Sequence, residues 1–581
     1  MELIQAENFA KVAKLDKLGG KNTAKILMSL FQLDKINQIY DRHYQKDTLS
    51  FTHDVLNDAG IKYRLNSREL EKLPKEGGFI IVANHPYGGV EGLILLDSLS
   101  SIRPDFKIMA NFLFNWIDPL KDKFFGVNPF ETHKNAFSSF HGLKKALNHV
   151  RSGHPLVIFP AGEVSTYYDK TKLIADRPWN DSIVRFIKNA EAPVVPVYFH
   201  GSNSWLFHLM GKVHPLLRTV KIPSELLNKQ HEAIDIRIGS PIPVNEQSEF
   251  SDVTKYGRYL RARTYALSAL HENKELPATN PLNVEPVVKP VNSLELSYQI
   301  LDITPRYQLF QWQQYKVYCA PSSVIPEITA EIGRLREITF REVGEGTLQS
   351  TDVDEFDAYY YQLFIWDSAE QRIAGGYRIG FGKEILQRFG MKGFYSQTLF
   401  RMDKDLYPIL NESIELGRSF IIKEYQRKPM SLFMLWKGIL CLLQKHYGYN
   451  YLIGPVSISN NYSGISKEII VEYIKKYYFE HSFAKSIKSR RPFVPKPSNL
   501  DTEILINNTS NFNKLDQILK DADPLNPKMP ILLRKYLELG AKITAFNVDP
   551  QFNNCVDGLM VLDLSVVKPE IVSTLAKSLD K

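Results

Sequence analysis

His85 and Glu91, with five residues between them, lie in the stretch GFIIVANHPYGGVEG (78–92), where an apolar run meets a glycine-rich turn. A carboxylate beside an imidazole fixes its tautomer and stabilises the imidazolium formed when the ring takes a proton from a hydroxyl or an amine. The pair suits a general base. The same residues also suit a strand-to-helix corner whose histidine caps backbone groups. A second group with chemical potential is Arg427-Lys428-Pro429 in EYQRKPMSLFMLWKGI. Proline fits the first turn of a helix, and two cations beside that turn's free amides form an anion site suited to a phosphopantetheine phosphate, or else an exposed basic loop.

These residues need elements to hold them. Phe79 to Ala83 is a continuous apolar run and predicts a strand covered on both faces. Pro86, Gly88 and Gly89 end it, and the run Leu93 to Leu99 predicts a helix with Glu91 in its first turn. The pattern recurs: a helix from about Asn135 to Val150, a strand from Pro155 to Phe159 followed by PAGEVS, a helix from Asp181 to Ala190, and a strand from Pro193 to Phe199 followed by HGSNSW. Strands alternating with helices predict an α/β (α+β) domain whose loops carrying His85, Asn128, Gly162 and His200 converge at the strands' carboxyl ends. The strand IDIRIGSPIPV and a helix from about Val253 to Lys274 complete it.

Ahead of this domain, residues 1–50 read as helical, with Lys11, Lys14, Lys17, Lys21 and Lys25 preceding a stripe of Leu27, Leu30, Phe31, Leu33, Ile36 and Tyr40. Such a stripe is either a lid on the first domain or an interfacial membrane helix. The expected layout is therefore an N-terminal helical segment (1–50), an α/β domain (51–274), a linker (275–292) containing Pro277, Pro281, Pro286 and Pro290, and a second domain (293–581).

With 581 residues, 44% hydrophobic and 23% charged, the chain is long enough for two or three cores and too apolar to be disordered. Cys319, Cys441 and Cys555 are far apart, which favours a reducing compartment and argues against structural zinc. The N-terminus lacks the apolar core of a signal peptide, and no stretch is long enough to span a membrane. A net charge of +8 is modest and does not announce a nucleic-acid binder. An acidic partner protein or an anionic membrane face fits it equally well.

The blocks NHPYGGVEG, GVNPF, FPAGEVS and VVPVYFHGSNS resemble, in order and spacing, the motifs of the glycerolipid acyltransferase superfamily in its hemolysin-like branch. The resemblance implies that His85 deprotonates an acceptor hydroxyl attacking an acyl thioester, with Glu91 orienting the ring and Asn128, Gly162 and Glu163 at the substrate side. Two departures stand out. The common spacing is four residues to an aspartate, whereas here it is five to a glutamate. The usual FPEGTRS block, which binds an acceptor phosphate, is FPAGEVS with a carboxylate and no adjacent arginine, so an acceptor without phosphate is expected. Arg218 is a candidate acyl-carrier contact or a solvated arginine, and His208 and His214 read as packing or surface residues.

In the second half, a helix from Ala330 to Phe340, a hairpin of YQLFIW and IAGGYRIG, the stretch SIELGRSFI, the basic loop and its helix, and YLIGPVSIS follow the arrangement of the acetyltransferase-like (GNAT) fold. ELGRSF, FMLWKGI, YLIGPVSIS and NVDPQFN resemble the ornithine-lipid type N-acyltransferases, relatives of the acyl-homoserine-lactone synthases. That resemblance implies a Glu-x-x-Arg pair, Glu415 and Arg418, ordering the strand edge beside the thioester with Arg418 on an acceptor carboxylate, unless the two form a structural salt bridge. It also implies that Asp354 and Asp357 meet the amine side of an amino acid, unless they are solvated turn acids. The run Lys485, Lys488, Arg490, Arg491 and Lys496 is either a solvated face or a dock for acidic acyl-carrier protein.

An O-acyltransferase followed by an N-acyltransferase resembles the bifunctional aminolipid synthases. The implied reactions are N-acylation of an amino acid, ornithine first and then glycine or lysine, with a 3-hydroxyacyl group from acyl-carrier protein, and then O-acylation of that hydroxyl. No metal, nucleotide or redox cofactor is implied. The expected setting is the cytoplasm, peripheral to the inner membrane. Two other readings stay open: a single-activity N-acyl-amino-acid or signal synthase with an inactive membrane-binding first half, and a non-catalytic scaffold for acyl-carrier protein.

Overall fold

The structure is a computed structural model that describes residues 2–12, 20–111, 114, 117–127, 136–213, 215–229, 233–269, 284–428 and 430–567. Residues 270–283, which include the first half of the linker, lie outside these, as do Asn128 and Pro429, and His214 with the side chains of Lys11, Lys14 and Lys17. The architecture is mixed α/β in two units: Met1–Leu270 with Pro497–Ala522, and His271–Lys496 with Asp523–Lys581.

In the first unit the strands are β1 (Tyr63–Leu65), β2 (Ile80–Ala83), β3 (Lys107–Asn111), β4 (Phe124–Val127), β5 (Leu156–Ile158), a side hairpin of β6 (Thr166–Tyr168) and β7 (Leu173–Ala175), then β8 (Val194–Phe199) and β9 (Ile234–Ile238). The main sheet runs β1-β9-β8-β2-β5-β3-β4. β2 is central, parallel to β5 on one side and to β8 on the other. Its four residues are fully buried, as an unbroken apolar run requires when helices cover both faces. Because β2, β5, β8, β3 and β4 all point the same way, the loops after β2, β5 and β8 leave from one edge of the sheet. β9, antiparallel to β8, and β1, parallel to β9, run the other way. The closing helix is Val253–Tyr265, shorter than the sequence suggested, followed by a 3-10 turn at Ala266–Ser268.

The N-terminal stripe does not form one face. Gln32 adopts a left-handed conformation (φ 54°) between helices Gly20–Leu30 and Leu33–His43, and the chain turns there. Phe31, Leu33, Ile36 and Tyr40 are buried, whereas Leu30 is 69% exposed. Pro497–Ala522, although it follows the linker by some two hundred residues, folds with the first unit. Its helices Thr502–Asn507 and Phe512–Ala522 lie on the closing helix and its 3-10 turn.

In the second unit β10 (Gln308–Trp312), β11 (Tyr315–Pro321), β12 (Tyr361–Asp367), β13 (Arg372–Phe381), β15 (Ser413–Ile421), β16 (Tyr451–Ile458), β19 (Cys555–Asp563) and β18 (Lys542–Asp549) form one sheet in that order, with β14 (Phe400–Met402) and β17 (Ile487–Ser489) in a separate ribbon. β12 and β13 are the expected hairpin. β15 and β16 are parallel, joined by helix Met430–Lys445, and they pair only over Ser413–Glu415 and Tyr451–Ile453. Beyond that point β15 stays with β13 and β16 stays with β19, so the two strands diverge into a wedge.

Candidate functional site

At the end of β2, His85 Nδ1 lies 3.2 Å from Glu91 Oε1, an ion-pair approach rather than an aligned hydrogen bond. Glu91 is wholly buried in the first turn of helix Val90–Leu99, and its oxygens accept the backbone N–H groups of Tyr87 (2.6 Å), Gly88 (3.1 Å) and Gly89 (3.0 Å). The glycine-rich turn thus wraps the carboxylate that faces the ring. Burial acts against charge on both partners. The carboxylate's charge nevertheless holds the imidazole above its ordinary pKa, and the imidazole and the turn amides hold Glu91 below its own. Phe159, at the end of β5, stacks on the imidazole at 4.4 Å. The His85 side chain keeps 17% of its surface exposed, while Nδ1, facing Glu91, is buried.

The turn needs glycine at one position. Gly88 has φ +97°, and a Cβ there would stand 2.8 Å from Val164 Cγ2. Gly88→Ala is therefore expected to destabilise the first unit by at least about 1–2 kcal/mol, the left-handed penalty alone, read as a lower denaturant midpoint.

A second carboxylate, not anticipated from sequence, lies behind the ring. Asp176 is 1% exposed and accepts the His85 backbone N–H (3.1 Å), the Ser165 hydroxyl and the Trp179 indole N–H (3.3 Å). Ser165 N–H in turn donates to the His85 carbonyl (2.8 Å), tying the FPAGEVS loop to the histidine. Asp176 follows the short hairpin β6–β7, and no local pattern in ADRPW marks it.

Gly162 takes φ +69° in the turn after β5, with its N–H donating to Phe159 (3.0 Å). Glu163 is not the bare charge that the sequence suggested. Arg177 (3.2 Å) and Arg218 (2.7 Å) both pair with it, bringing cations from elsewhere in the chain to a loop that has none of its own. Arg218 is accordingly held on Glu163 and 13% exposed rather than solvated. His208 is buried, as a packing residue should be. His200 is partly buried, and its desolvation pushes its pKa down to about 4 and keeps it neutral.

In the second unit Glu415, at the point where β15 and β16 part, is 1% exposed. Its oxygens accept Tyr360 OH, the Tyr395 N–H (3.0 Å), and the Ser396 N–H (2.8 Å) and hydroxyl. It anchors the 395–396 turn to the strand. Arg418 sits on a bulge of β15 with φ 50° and pairs with Asp352 (3.1 Å) and Asp354 (3.1 Å) rather than with Glu415. Asp357 joins Arg336 (3.0 Å) and Arg378 (3.2 Å). Three arginines and three aspartates thus form one network. Asp352 and Asp357 are buried and only Asp354 retains exposure, so these are not solvated turn acids. Sequence inspection missed Asp352, Arg336 and Arg378; the clue was an arginine buried on a helix and another in the middle of a strand.

Arg427 and Lys428 are exposed in the loop after β15, with Lys428 4.3 Å from the Tyr425 ring, just ahead of helix Met430–Lys445. No group of three or more metal-ligating side chains occurs among the described residues, and no described helix is long and apolar enough to cross a membrane.

Residues 10–273 match a family described as acyltransferase, and residues 335–437 match an acetyltransferase (GNAT) domain. A glycine N(alpha)-acyltransferase of Bacteroides thetaiotaomicron is 28% identical over 45% of this chain and 80% of its own. A lyso-glycine lipid O-acyltransferase of the same organism is 25% identical over 44% of this chain and 94% of its own. A solved CoA-dependent acyl-homoserine lactone synthase aligns with 45% of this chain and 89% of its own at 12% identity and a TM-score of 0.25, too distant to argue from.

Proposed function

We propose that this acyltransferase, with its acyltransferase domain ahead of a GNAT domain, carries out both acylations of an amino-acid lipid. The GNAT domain transfers a 3-hydroxyacyl group to the α-amine of glycine, and the first domain esterifies the resulting hydroxyl with a second acyl chain. The observation that carries the reading is the presence in one chain of two separate acyl-transfer geometries, the His85–Glu91 pair at a sheet edge and the wedge between β15 and β16 beside a cationic loop. The names of the two relatives fit the two steps in turn and favour glycine over ornithine as the acceptor.

In the O-acylation, His85 Nε2 takes the hydroxyl proton as the oxygen attacks the thioester carbonyl, Glu91 stabilises the imidazolium, and the proton leaves with the thiol. Neither step requires a redox change. Acyl-carrier protein is the expected donor, with the phosphopantetheine phosphate at Arg427 and Lys428. The acidic carrier would dock on Lys485, Lys488, Arg490, Arg491 and Lys496, all of them exposed. The first unit also presents Ile26, Leu30, Trp205, Leu206 and Leu209 to solvent, which suits work at the cytoplasmic face of a membrane.

The test is lipid mass spectrometry of a host without aminolipids that expresses the full chain. A new acyloxyacyl lipid with a glycine head group is expected; an ornithine head group would overturn the choice of amino acid, and no new amino-acid lipid would overturn the reading.

A further inference from the structure

We propose that Glu345 is the general base of the N-acyl transfer, an assignment that rests on the reaction proposed above. Glu345 follows helix Pro326–Glu342 on a short loop fastened from three directions. Ser459 Oγ (2.6 Å) and Asn461 Nδ2 (2.9 Å) donate to the Val343 carbonyl, and Asn553 Nδ2 (3.0 Å) donates to that of Gly344. The loop closes on itself where the Glu345 N–H donates to Phe340 (2.8 Å). Gly344 has φ +75° and lies so close to Asn461 that a Cβ would stand 2.6 Å from its Oδ1, so the turn is built for glycine.

The fastened loop delivers a carboxylate to the wedge. Ser457 Oγ donates to Glu345 Oε2 at 2.8 Å, and Ser457 stands on β16 beyond Ile453, the last residue paired with β15. Among the described residues Oε1 has no hydrogen-bond partner, and Glu345 is only partly buried. Asp557, opposite Ser457 on β19, and Asp549 and Cys555 on the neighbouring strands line the same side. Arg418 faces these acids from β15, and Lys467 faces Cys555. Burial lifts Glu345 to about 7, so this carboxylate changes charge near neutrality, and burial raises Asp557 and Asp549 beside it as well. Glu415, at the point where the wedge opens, already accepts hydrogen bonds on both oxygens.

The step balances simply. Glu345 takes a proton from the acceptor ammonium and releases it to solvent, the freed nitrogen lone pair attacks the thioester carbonyl, and the tetrahedral intermediate expels the thiolate as the amide forms. The second nitrogen proton leaves through the carboxylate and neutralises the thiolate.

The test uses the full chain with glycine and a 3-hydroxyacyl carrier thioester. Glu345→Gln is expected to lower kcat for N-acylation about 100-fold with little change in the KM for glycine. The deficit should narrow as pH rises and supplies free amine, and Glu345→Asp should recover part of the rate. O-acylation of a supplied lyso-lipid serves as the fold control and should stay at the wild-type rate. N-acylation within about threefold of wild type in Glu345→Gln, or a deficit of the same size at every pH, would overturn the assignment alone. A wild-type chain that acylates no amine would overturn the proposed reaction and this assignment with it.

Discussion

His85→Ala is expected to cut O-acylation by about a thousandfold while N-acylation in the same preparation continues. General base catalysis contributes about 10²–10⁴ in rate, and a thousandfold loss corresponds to about 4 kcal/mol of transition-state stabilisation. The cells should then accumulate the mono-acylated lipid in place of the diacylated one, and that accumulation separates a lost second step from a lost protein. Unchanged diacylated product would refute the base assignment. pH adds an independent check. The imidazole is held above its ordinary pKa against its own burial, so the rising limb of the O-acylation profile should lie above the usual histidine range.

Glu91→Gln removes the charge responsible for that shift. The limb should move to lower pH and the plateau should fall, because the neutral amide no longer stabilises the imidazolium. The pair also carries a stability signature. Raised His85 stabilises the fold fully below the ordinary histidine range and loses that contribution as pH climbs through the raised value. Depressed Glu91 stabilises it above the ordinary glutamate range and loses that contribution as pH falls through the lowered value. The ion pair is therefore at full strength between the two.

The parts of this site that sequence revealed are those whose physics is local. Ile80 to Ala83 is apolar without interruption because both faces are covered, and Gly88 is glycine because the turn is left-handed, so strand, turn and histidine could be read within fifteen residues. Glu163 shows where such reading stops. Its loop has no cation of its own, and the two arginines that neutralise it come from fourteen and fifty-five positions further on. Asp354 and Asp357 looked like turn acids for the same reason. Their partners Arg336 and Arg378 lie on a helix and a strand, and only the closed fold brings the charges together. The N-terminal stripe is buried at Phe31, Leu33, Ile36 and Tyr40, as a lid requires, but a single left-handed residue, Gln32, breaks a periodicity that continues through it on paper.

Asp521→Ala is expected to destabilise the first unit, although the residue lies in the second half of the sequence. Its carboxylate accepts the Ser240 N–H (2.8 Å) and hydroxyl (2.8 Å), Lys72 Nζ (3.4 Å) and Arg263 Nη2 (3.2 Å), and its backbone carbonyl accepts Arg237 Nη2 (2.8 Å). Asp521 and Arg263 are 1% and 3% exposed, so removing the carboxylate leaves a buried guanidinium with one fewer counter-charge. Breaking such a pair typically costs about 3–5 kcal/mol. The segment also brings Ile504, Leu505, Leu515, Ile518 and Leu519 into buried positions, on the order of 10 kcal/mol of apolar transfer as an upper bound. It follows that a fragment cut at the proline-rich linker lacks part of its own core. Residues 1–275 alone should be insoluble or show no O-acylation. The same fragment extended by a flexible linker and residues 497–522 should recover soluble, His85-dependent activity. Full activity in the bare fragment would show that the returning segment is dispensable, and Asp521→Ala should then melt like wild type.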